Sequence, residues 1–589
     1  MWIYARVFLK KSFPFSIRPG YAIMFNIMMD YKRYKINYFL PPEPCFEWAG
    51  KDHVEAAPLW CSVDLRDGNQ ALVVPMNLDQ KLRYFNLLVR MGFKEIEIGF
   101  PAASETEYLF CRTLIEKNLI PDDVTIQVLT QAREHIIRRT YEAIRGAPRA
   151  IMHLYNSVSP VQRRQVFRKS KSDVLRMATE GAAMLLEYAG ESDTSIRFEY
   201  APENFTATEP EYALEVCNRV LDVWKPVLSG HPIVNLPATM ELSGPHVFAQ
   251  QVEYICKHLQ NRENVIVSVH PHNDRGCSAA AAELAVLAGA QRVEGTLFGN
   301  GERAGNTDLV TVSMNLYAQG TDPKLNLSDL PEIVSVYEEC TGMTVGDRAP
   351  YAGRLDFTAF SGSHQDAVAK GLRWVKEKRP EYWDVPYLPI DPEDVGISCD
   401  LDVIRINAQS GKGGVGFILR TKYGLMLPPD MMEAVGQAVK LVSDRKHKEL
   451  TPEEVFHIFK QEYEGITSPV SISEMHFKQL ENGCIEARVT AALDDGPKTE
   501  LAAEGNGRLN AVSNALKKAY GLAYTLETYY VHALEKSSSS RAIAYVGLNW
   551  ENGEMTWGAG LSTDIICASA EALVTAINNR CISCHEVIP

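Results

Sequence analysis

His270 and His272 stand two residues apart at the end of an apolar, β-prone run, 265–270. On an extended strand, residues i and i+2 share a face, so both imidazoles can turn toward one ion. Just after another such run, 59–64, comes Arg66-Asp67, a guanidinium beside a carboxylate. Two imidazoles, one carboxylate and open positions are a donor set for a divalent ion that polarises a carbonyl. Taken alone, His-x-His fits two hydrogen-bonded surface histidines equally well. Asp67 at a second strand end tips the reading toward the ion, provided the two strands lie close together.

The rest of the chain predicts that they do. Short β-prone runs recur at 59–64, 95–100, 125–130, 150–155, 196–200, 233–236, 265–270 and 292–298. Between them lie segments with apolar residues every three or four positions, such as 78–91 and 173–189. Strands alternating with helices predict parallel pairing, and eight such units in about 250 residues make an α/β fold, a (β/α)8 TIM barrel. An open doubly wound sheet is the alternative. In a barrel, strands 1, 7 and 8 are neighbours, which brings Asp67 within reach of the histidine pair. Catalytic groups sit at the C-terminal strand ends, and there the sequence places His153, Glu203, Thr239 and the run Gly299-Asn300-Gly301-Glu302-Arg303-Ala304-Gly305-Asn306.

After residue 325 the alternation stops. Helical spacing covers 330–340 and 364–378, a Pro- and Tyr-rich connection covers 380–392, and further helices run to about 462. From about 469, β-like runs at 472–477, 485–491, 541–548 and 554–562 join helices at 508–520 and 568–578. The expected division is an N-terminal extension and arm (1–57), a TIM-barrel catalytic domain (58–325), helical linker subdomains (326–465) and a C-terminal α+β domain of regulatory type (466–589).

At 589 residues the chain has room for several domains, and its 46% hydrophobic and 23% charged residues exclude a disordered or collagen-like protein. A net charge of −14 gives nothing global to attract phosphates, so no nucleic-acid partner is expected. No apolar run reaches spanning length, so no membrane partner is expected either. Twelve cysteines spread over this length suit a reducing compartment. Cys581-Ile-Ser-Cys584-His585 matches a haem-attachment spacing, but a single tail match without an export signal is read as chance. The first 40 residues carry seven Lys or Arg against Asp30. The expected location is therefore cytoplasmic, or mitochondrial if that start is a transit peptide.

Leu65-Arg66-Asp67-Gly68-Asn69-Gln70, His270-Pro271-His272-Asn273-Asp274 and Gly299-Asn300-Gly301-Glu302-Arg303 together resemble the 2-isopropylmalate synthase family. The likeness extends to Ser361-Gly362-Ser363-His364-Gln365-Asp366 and Gln409-Ser410-Gly411-Lys412-Gly413-Gly414, and runs from about residue 42 to the C-terminus. The resemblance implies a Claisen-type condensation of acetyl-CoA, the co-substrate, with a 2-oxo acid. It implies a divalent metal ion (Zn, Mn or Mg) on Asp67, His270 and His272, completed or supported by Asn306. Arg66 would lie beside the ketone oxygen, Thr239 would bind the substrate carboxylate, and Glu203 would position or relay protons. His364 would be the base at the acetyl methyl carbon, serving the barrel of a partner subunit, which implies a homodimer. Leu129, His153, Ala201, Asn235 and Pro237 would face the substrate side chain, and Gly505 and Gly507 belong to a leucine-sensing type of module.

Two positions and one loop depart from the family pattern. Cys399 stands where leucine-pathway members carry a Tyr, Ala201 replaces a Ser, and Lys536-Ser537-Ser538-Ser539-Ser540-Arg541 replaces a Gly/Asp/Ala-containing loop. Together they suggest a specialised paralogue with a larger, more apolar pocket. The analogy is with fungal enzymes that extend 4-hydroxyphenylpyruvate toward homotyrosine for echinocandin-type peptides. The housekeeping enzyme of leucine biosynthesis is the first alternative. A metal-dependent acyl-CoA lyase or hydrolase on the same barrel is the alternative of another class. The long C-terminal module counts against a lyase, and a histidine pair on strand 7 rather than strand 1 counts against an amidohydrolase-type hydrolase.

Overall fold

In the computed structural model, residues 30–397, 412–494, 496–535 and 540–584 are described. Cys399, Ser410, Gly411 and the 536–539 stretch lie outside them. Two compact units divide the chain, one of residues 1–89 and 93–312 and the other of residues 90–92 and 313–589.

The first unit is a closed parallel barrel of eight strands in sequence order. They are β1 (Leu59–Ser62), β2 (Glu95–Gly99), β3 (Thr125–Gln131), β4 (Arg149–Ser157), β5 (Ser195–Glu203), β6 (Ile233–Ala238), β7 (Ile266–Pro271) and β8 (Arg292–Gly295). Closure is made by β1 against β8, with Leu59 opposite Arg292 and Ser62 opposite Gly295. The eight β-prone runs are these strands. Surface helices have amphipathic faces, as in Lys171–Ala189, which a Ser170–Asp173 capping box starts and whose Val174, Ala178, Ala182 and Leu185 are buried. Part of the N-terminal arm is tied to this unit: the Glu47 and Trp48 amides donate to the Glu253 carboxylate at 3.3 and 3.1 Å.

The barrel interior is not purely apolar. Glu95 and Glu97 on β2, Gln127 on β3, Glu199 on β5 and Arg292 and Glu294 on β8 are all buried. Arg292 is their hub. Its guanidinium donates to Glu95 at 2.6 Å, Gln127 at 2.7 Å, Ser268 at 3.0 Å and Glu294, and lies 3.3 Å from Glu199. Burial disfavours the charge, but the surrounding anions hold the guanidinium protonated, well above its usual range. Buried charges survive only when paired.

The second unit begins with helices, among them Leu330–Thr341, Gly362–Lys378, Pro429–Lys446 and Pro452–Tyr463. It ends in two three-stranded sheets: β9 (Val470–Gln479), β10 (Ile485–Leu493) and β11 (Thr499–Gly505), then β12 (Tyr524–Ala533), β13 (Ala542–Trp550) and β14 (Met555–Ser562). Each sheet is followed by a helix, Arg508–Tyr520 and Ile565–Cys584. β13 is buried on both faces because its side chains alternate. Ile543 and Tyr545 join the core of the preceding helices, whereas Ala544, Val546 and Leu548 join the core formed with the two late helices. β11 and β12, absent from the sequence expectation, are outer strands of their sheets with many exposed residues. Among the described residues, no helix is long and apolar enough to cross a membrane.

The barrel charge cluster gives a stability prediction. Arg292→Leu removes the guanidinium that Glu95, Glu199 and Glu294 share, leaving Glu95 only its contact with Arg197, at a cost of roughly 3–5 kcal/mol, because breaking a buried ion pair strands its partners. Urea unfolding followed by circular dichroism should show an earlier transition, and an unchanged midpoint would contradict the role given to Arg292.

Candidate active site and metal centre

β1 ends in a wide turn of π-helical type, Asp64–Gly68, in which the Asp67 and Gly68 amides both donate to the Val63 carbonyl, at 2.9 and 3.1 Å. Buried Asp64 anchors it, accepting from the Tyr84 hydroxyl at 2.8 Å and from the Leu297 amide at 3.1 Å. One carboxylate thus joins the turn after β1 to the turn after β8, and burial pushes its pKa up to about 7.

On that turn, Arg66 is clamped between two acids. Its Nε donates to Glu97 at 2.5 Å and its Nη1 to Asp67 Oδ1 at 2.6 Å. The second Asp67 oxygen, Oδ2, is buried without a hydrogen-bond partner. It lies 3.5 Å from His270 Nε2 and 3.7 Å from His272 Nε2. The two imidazoles run nearly parallel, 20° apart in plane and 5.4 Å between centroids, as alternate positions of one strand end should. One ligand atom from each of Asp67, His270 and His272 lies within 4.8 Å of the others. A buried carboxylate oxygen with no donor carries an uncompensated cost. The residues present therefore fit a divalent cation, which would supply the missing positive partner.

His270 is held from behind. Its Nδ1 is 2.8 Å from Glu294, and its Nε2 is 2.8 Å from Asn306 Oδ1. A carboxylate behind a ligating imidazole fixes the ring and raises its basicity. Burial works against a charged ring here, but Asp67 and Glu294 outweigh it and push the His270 pKa up to about 10. His272, buried beside that charge, is pushed down to about 4. Burial also raises Asp67, yet Arg66 and His270 hold it well below the usual carboxylate range. Proton and metal compete for such a pocket, because metal ligands bind deprotonated.

Asn306 is delivered by the Gly-rich turn after β8. Gly305 has φ +98°, and a Cβ there would run into the Gly299 carbonyl. At Gly301 a Cβ would meet the Asn306 side-chain amide. These glycines serve close packing of the loop, which returns the Asn306 amide to the Gly299 carbonyl at 3.0 Å.

A cavity of about 180 Å³ opens beside these groups. Arg66, Asp67, His270 and His272 line it on one side, and Glu203 and Thr239 on another. Leu129, Ala201 and Pro237 give it an apolar wall, with His153 and Asn235 at buried positions. All seven expected substrate-facing residues therefore meet here. Glu203 accepts from the Ser157 hydroxyl, and Thr239 Oγ1 accepts from the Asn204 amide at 2.9 Å. His153 is held through Nδ1, 2.8 Å from Glu97. Asn235 donates through its Nδ2 to Glu199 at 3.0 Å and to Glu294 at 2.8 Å, while its Oδ1 is buried without a hydrogen-bond partner.

His364 belongs to the second unit, in the first turn of the helix Gly362–Lys378. Gly505 ends β11, where a Cβ would crowd the Ala511 amide, and Gly507 is the N-cap of Arg508–Tyr520. The sequence reading missed Glu97, Glu294 and Arg292, which support the site, and Tyr155, which lines the cavity; Gln70, Glu302 and Arg303, read within the strand-end motifs but given no role, line it too. A signal for the first three was present: Glu95 with Glu97, and Arg292 with Glu294, are charged residues two apart on otherwise apolar strands, the spacing of one inward face.

Residues 57–336 match a family profile described as HMGL-like, residues 354–420 one described as alpha-isopropylmalate synthase, post-catalytic domain-like, and residues 449–581 one described as LeuA allosteric (dimerisation) domain. The chain is 54% identical over 551 residues to a 2-isopropylmalate synthase of Desulfitobacterium hafniense (strain Y51), covering 94% of this chain and 98% of the relative. The chain belongs to the 2-isopropylmalate synthase family. A second member of the family, the 2-isopropylmalate synthase of Helicobacter hepaticus, is 51% identical over 556 residues, or 93% of this chain and 100% of that protein. The protein is thus an enzyme of the acyltransferase class, as its family is, and the three matched regions follow the barrel, the helical segment and the paired sheets in order.

Glu294→Gln keeps the shape behind His270 but removes the charge. Divalent-ion affinity of the metal-stripped protein, read by competition with a chelating dye, should fall about 10–100-fold. His272→Ala should abolish high-affinity binding. Wild-type affinity in both variants would remove Asp67, His270 and His272 as the metal centre.

Proposed function

We propose that the protein condenses acetyl-CoA with a 2-oxo acid to give a 2-substituted malate and free CoA, and that the oxo acid is 2-oxoisovalerate. The observation that carries this reading is the Asp67–His270–His272 cluster with Arg66 at the mouth of a small cavity, in a chain alike over its length to 2-isopropylmalate synthases. The cavity joins the charged cluster to an apolar wall, so a 2-oxo acid can set its keto and carboxylate oxygens on one and its alkyl group on the other.

Asp67, His270 and His272, with Asn306 beside them, would hold a divalent ion, Zn, Mn or Mg, which supplies Lewis-acid polarisation of the keto group. Arg66, already fixed by Glu97 and Asp67, sets a second positive charge where the keto oxygen gains negative charge. Because Arg66 is pre-positioned, little reorganisation is needed as that charge develops. Thr239 accepts from a backbone amide, so its own hydroxyl proton can be donated to the substrate carboxylate. Leu129, Ala201 and Pro237 pack on the alkyl group.

His364 takes a proton from the acetyl methyl, and the resulting enolate carbon bonds to the keto carbon. Glu203, at the cavity wall, positions or relays the proton that the new alkoxide needs. Water then cleaves the thioester, releasing CoA and the free carboxylate. The match to a dimerisation domain supports a homodimer in which His364 serves the barrel of the partner subunit. Gly505 and Gly507 precede the helix Arg508–Tyr520, the latter as its N-cap, and are the surviving part of a leucine-responsive module.

Ala201 favours a second reading. It is buried in the apolar wall at 4% exposure, and against the serine of the family pattern it lacks a hydroxyl. A less polar wall admits a bulkier oxo acid such as 4-hydroxyphenylpyruvate, the substrate of a specialised paralogue. Release of free CoA, followed with a thiol dye across a panel of 2-oxo acids, separates the two. The first reading predicts that 2-oxoisovalerate exceeds 4-hydroxyphenylpyruvate in kcat/KM by at least about tenfold, the scale of pocket discrimination between apolar side chains. The reverse order would establish the second reading instead. No CoA release with any oxo acid in the presence of Mg, Mn or Zn would overturn the condensation itself.

A further inference from the structure

One ring contact in the second unit has no role in the reaction as described so far. The ring of Tyr387 stacks on the imidazole of His364, with centroids 4.0 Å apart and planes 24° apart. Both residues are exposed, Tyr387 by 61%, so core packing does not impose the contact. Tyr387 also adopts φ +66°, in the left-handed region that a residue with a β-carbon rarely enters and that strained functional positions do.

The turn carrying Tyr387 is firmly mounted. Val385 and Leu388 on either side are each 5% exposed, and the Leu388 amide donates to the Val385 carbonyl at 3.2 Å. Trp383 Nε1 donates to the Leu388 carbonyl at 2.8 Å. The turn rests on the helix Gly362–Lys378 at Gly371, where a Cβ would come within 2.7 Å of Pro386 Cδ. Gly371 follows His364 by seven residues, two helical turns along one face. Glycine at that seat lets the turn lie against the same face from which the imidazole projects.

We infer that Tyr387 is a positioning residue, whose stacked ring fixes the plane of the His364 imidazole for proton abstraction. The inference rests on the reading of His364 as the base. A ring nitrogen accepts a proton along its lone pair, which lies in the ring plane. On an exposed histidine, rotation about the Cβ–Cγ bond swings that direction freely, because this torsion is broad. A second ring laid over the face restricts the rotation and leaves the edge nitrogens open. Orientation of this kind acts on the chemical step rather than on binding.

The full-length enzyme tests this with Tyr387→Phe, Tyr387→Leu and Tyr387→Gly. Tyr387→Leu should lower kcat about tenfold or more, with KM for both substrates within about twofold, because a misaligned base slows the step without weakening binding. Tyr387→Phe, which keeps the ring, should restore most of kcat. Tyr387→Gly relieves the left-handed backbone and guards against misfolding, yet it should be as slow as Tyr387→Leu. In histidine-labelled protein, the His364 ring resonances should move when the tyrosine ring is lost and stay in place in Tyr387→Phe. Wild-type kcat in Tyr387→Leu and Tyr387→Gly, or equal loss in Tyr387→Phe, would overturn the positioning role. Wild-type kcat in His364→Ala is the separate result that would overturn the base assignment, and the positioning role with it.

Discussion

A buried carboxylate oxygen without a donor is the constraint on which this barrel turns. Asp67 spends Oδ1 on Arg66 and leaves Oδ2 facing two imidazoles at 3.5 and 3.7 Å. Removed from water, that oxygen needs positive charge, and a protonated His270 or a divalent cation can supply it. Much of the barrel interior keeps this requirement in place. Glu97 holds Arg66 from one side, Glu294 holds His270 from behind, and Arg292 neutralises the acids below them. Replacing such a network by apolar residues of similar volume would build a sound barrel core. It would leave nothing to aim Asp67, His270 and His272, the three candidate ligands, so the network is best understood as serving the site.

The mouth of the barrel is organised by the same economy of few anchors. Asp64, which also accepts from Tyr84 on a neighbouring helix, ties the turn after β1 to the turn after β8 through the Leu297 amide, so the turn that carries Asp67 is fastened to the loop that carries Asn306. The glycines of that loop permit backbone contacts that any side chain would block. The candidate metal centre at the ends of strands 1, 7 and 8 thus draws its rigidity from hydrogen bonds beneath the loops as well as from the strands themselves.

Most of the fold was legible because eight β-prone runs alternate with segments of helical spacing, which predicts parallel strands joined by helices. His270, His272 and Asp67 could be read as one site because strand spacing and barrel closure together fix their proximity. β11 and β12 escaped notice for the converse reason. Thr499–Gly505 is rich in Glu and Ala, which favour helix, and both strands lie at sheet edges where one face meets water. The supporting acids were also missed, since Glu97 and Glu294 look like ordinary surface charges until closure turns their faces inward. The stack of Tyr387 on His364 joins residues from a helix and a distant turn, a contact that no local pattern announces.

The most direct measurement is anomalous diffraction at a metal edge, from crystals of the stripped protein supplied with Mn or Zn. The central claim predicts one strong peak bonded to Asp67, His270 Nε2 and His272 Nε2, at about 2.0–2.2 Å for Zn. A fully occupied site elsewhere in the chain, with no density between the carboxylate and the two imidazoles, would contradict it.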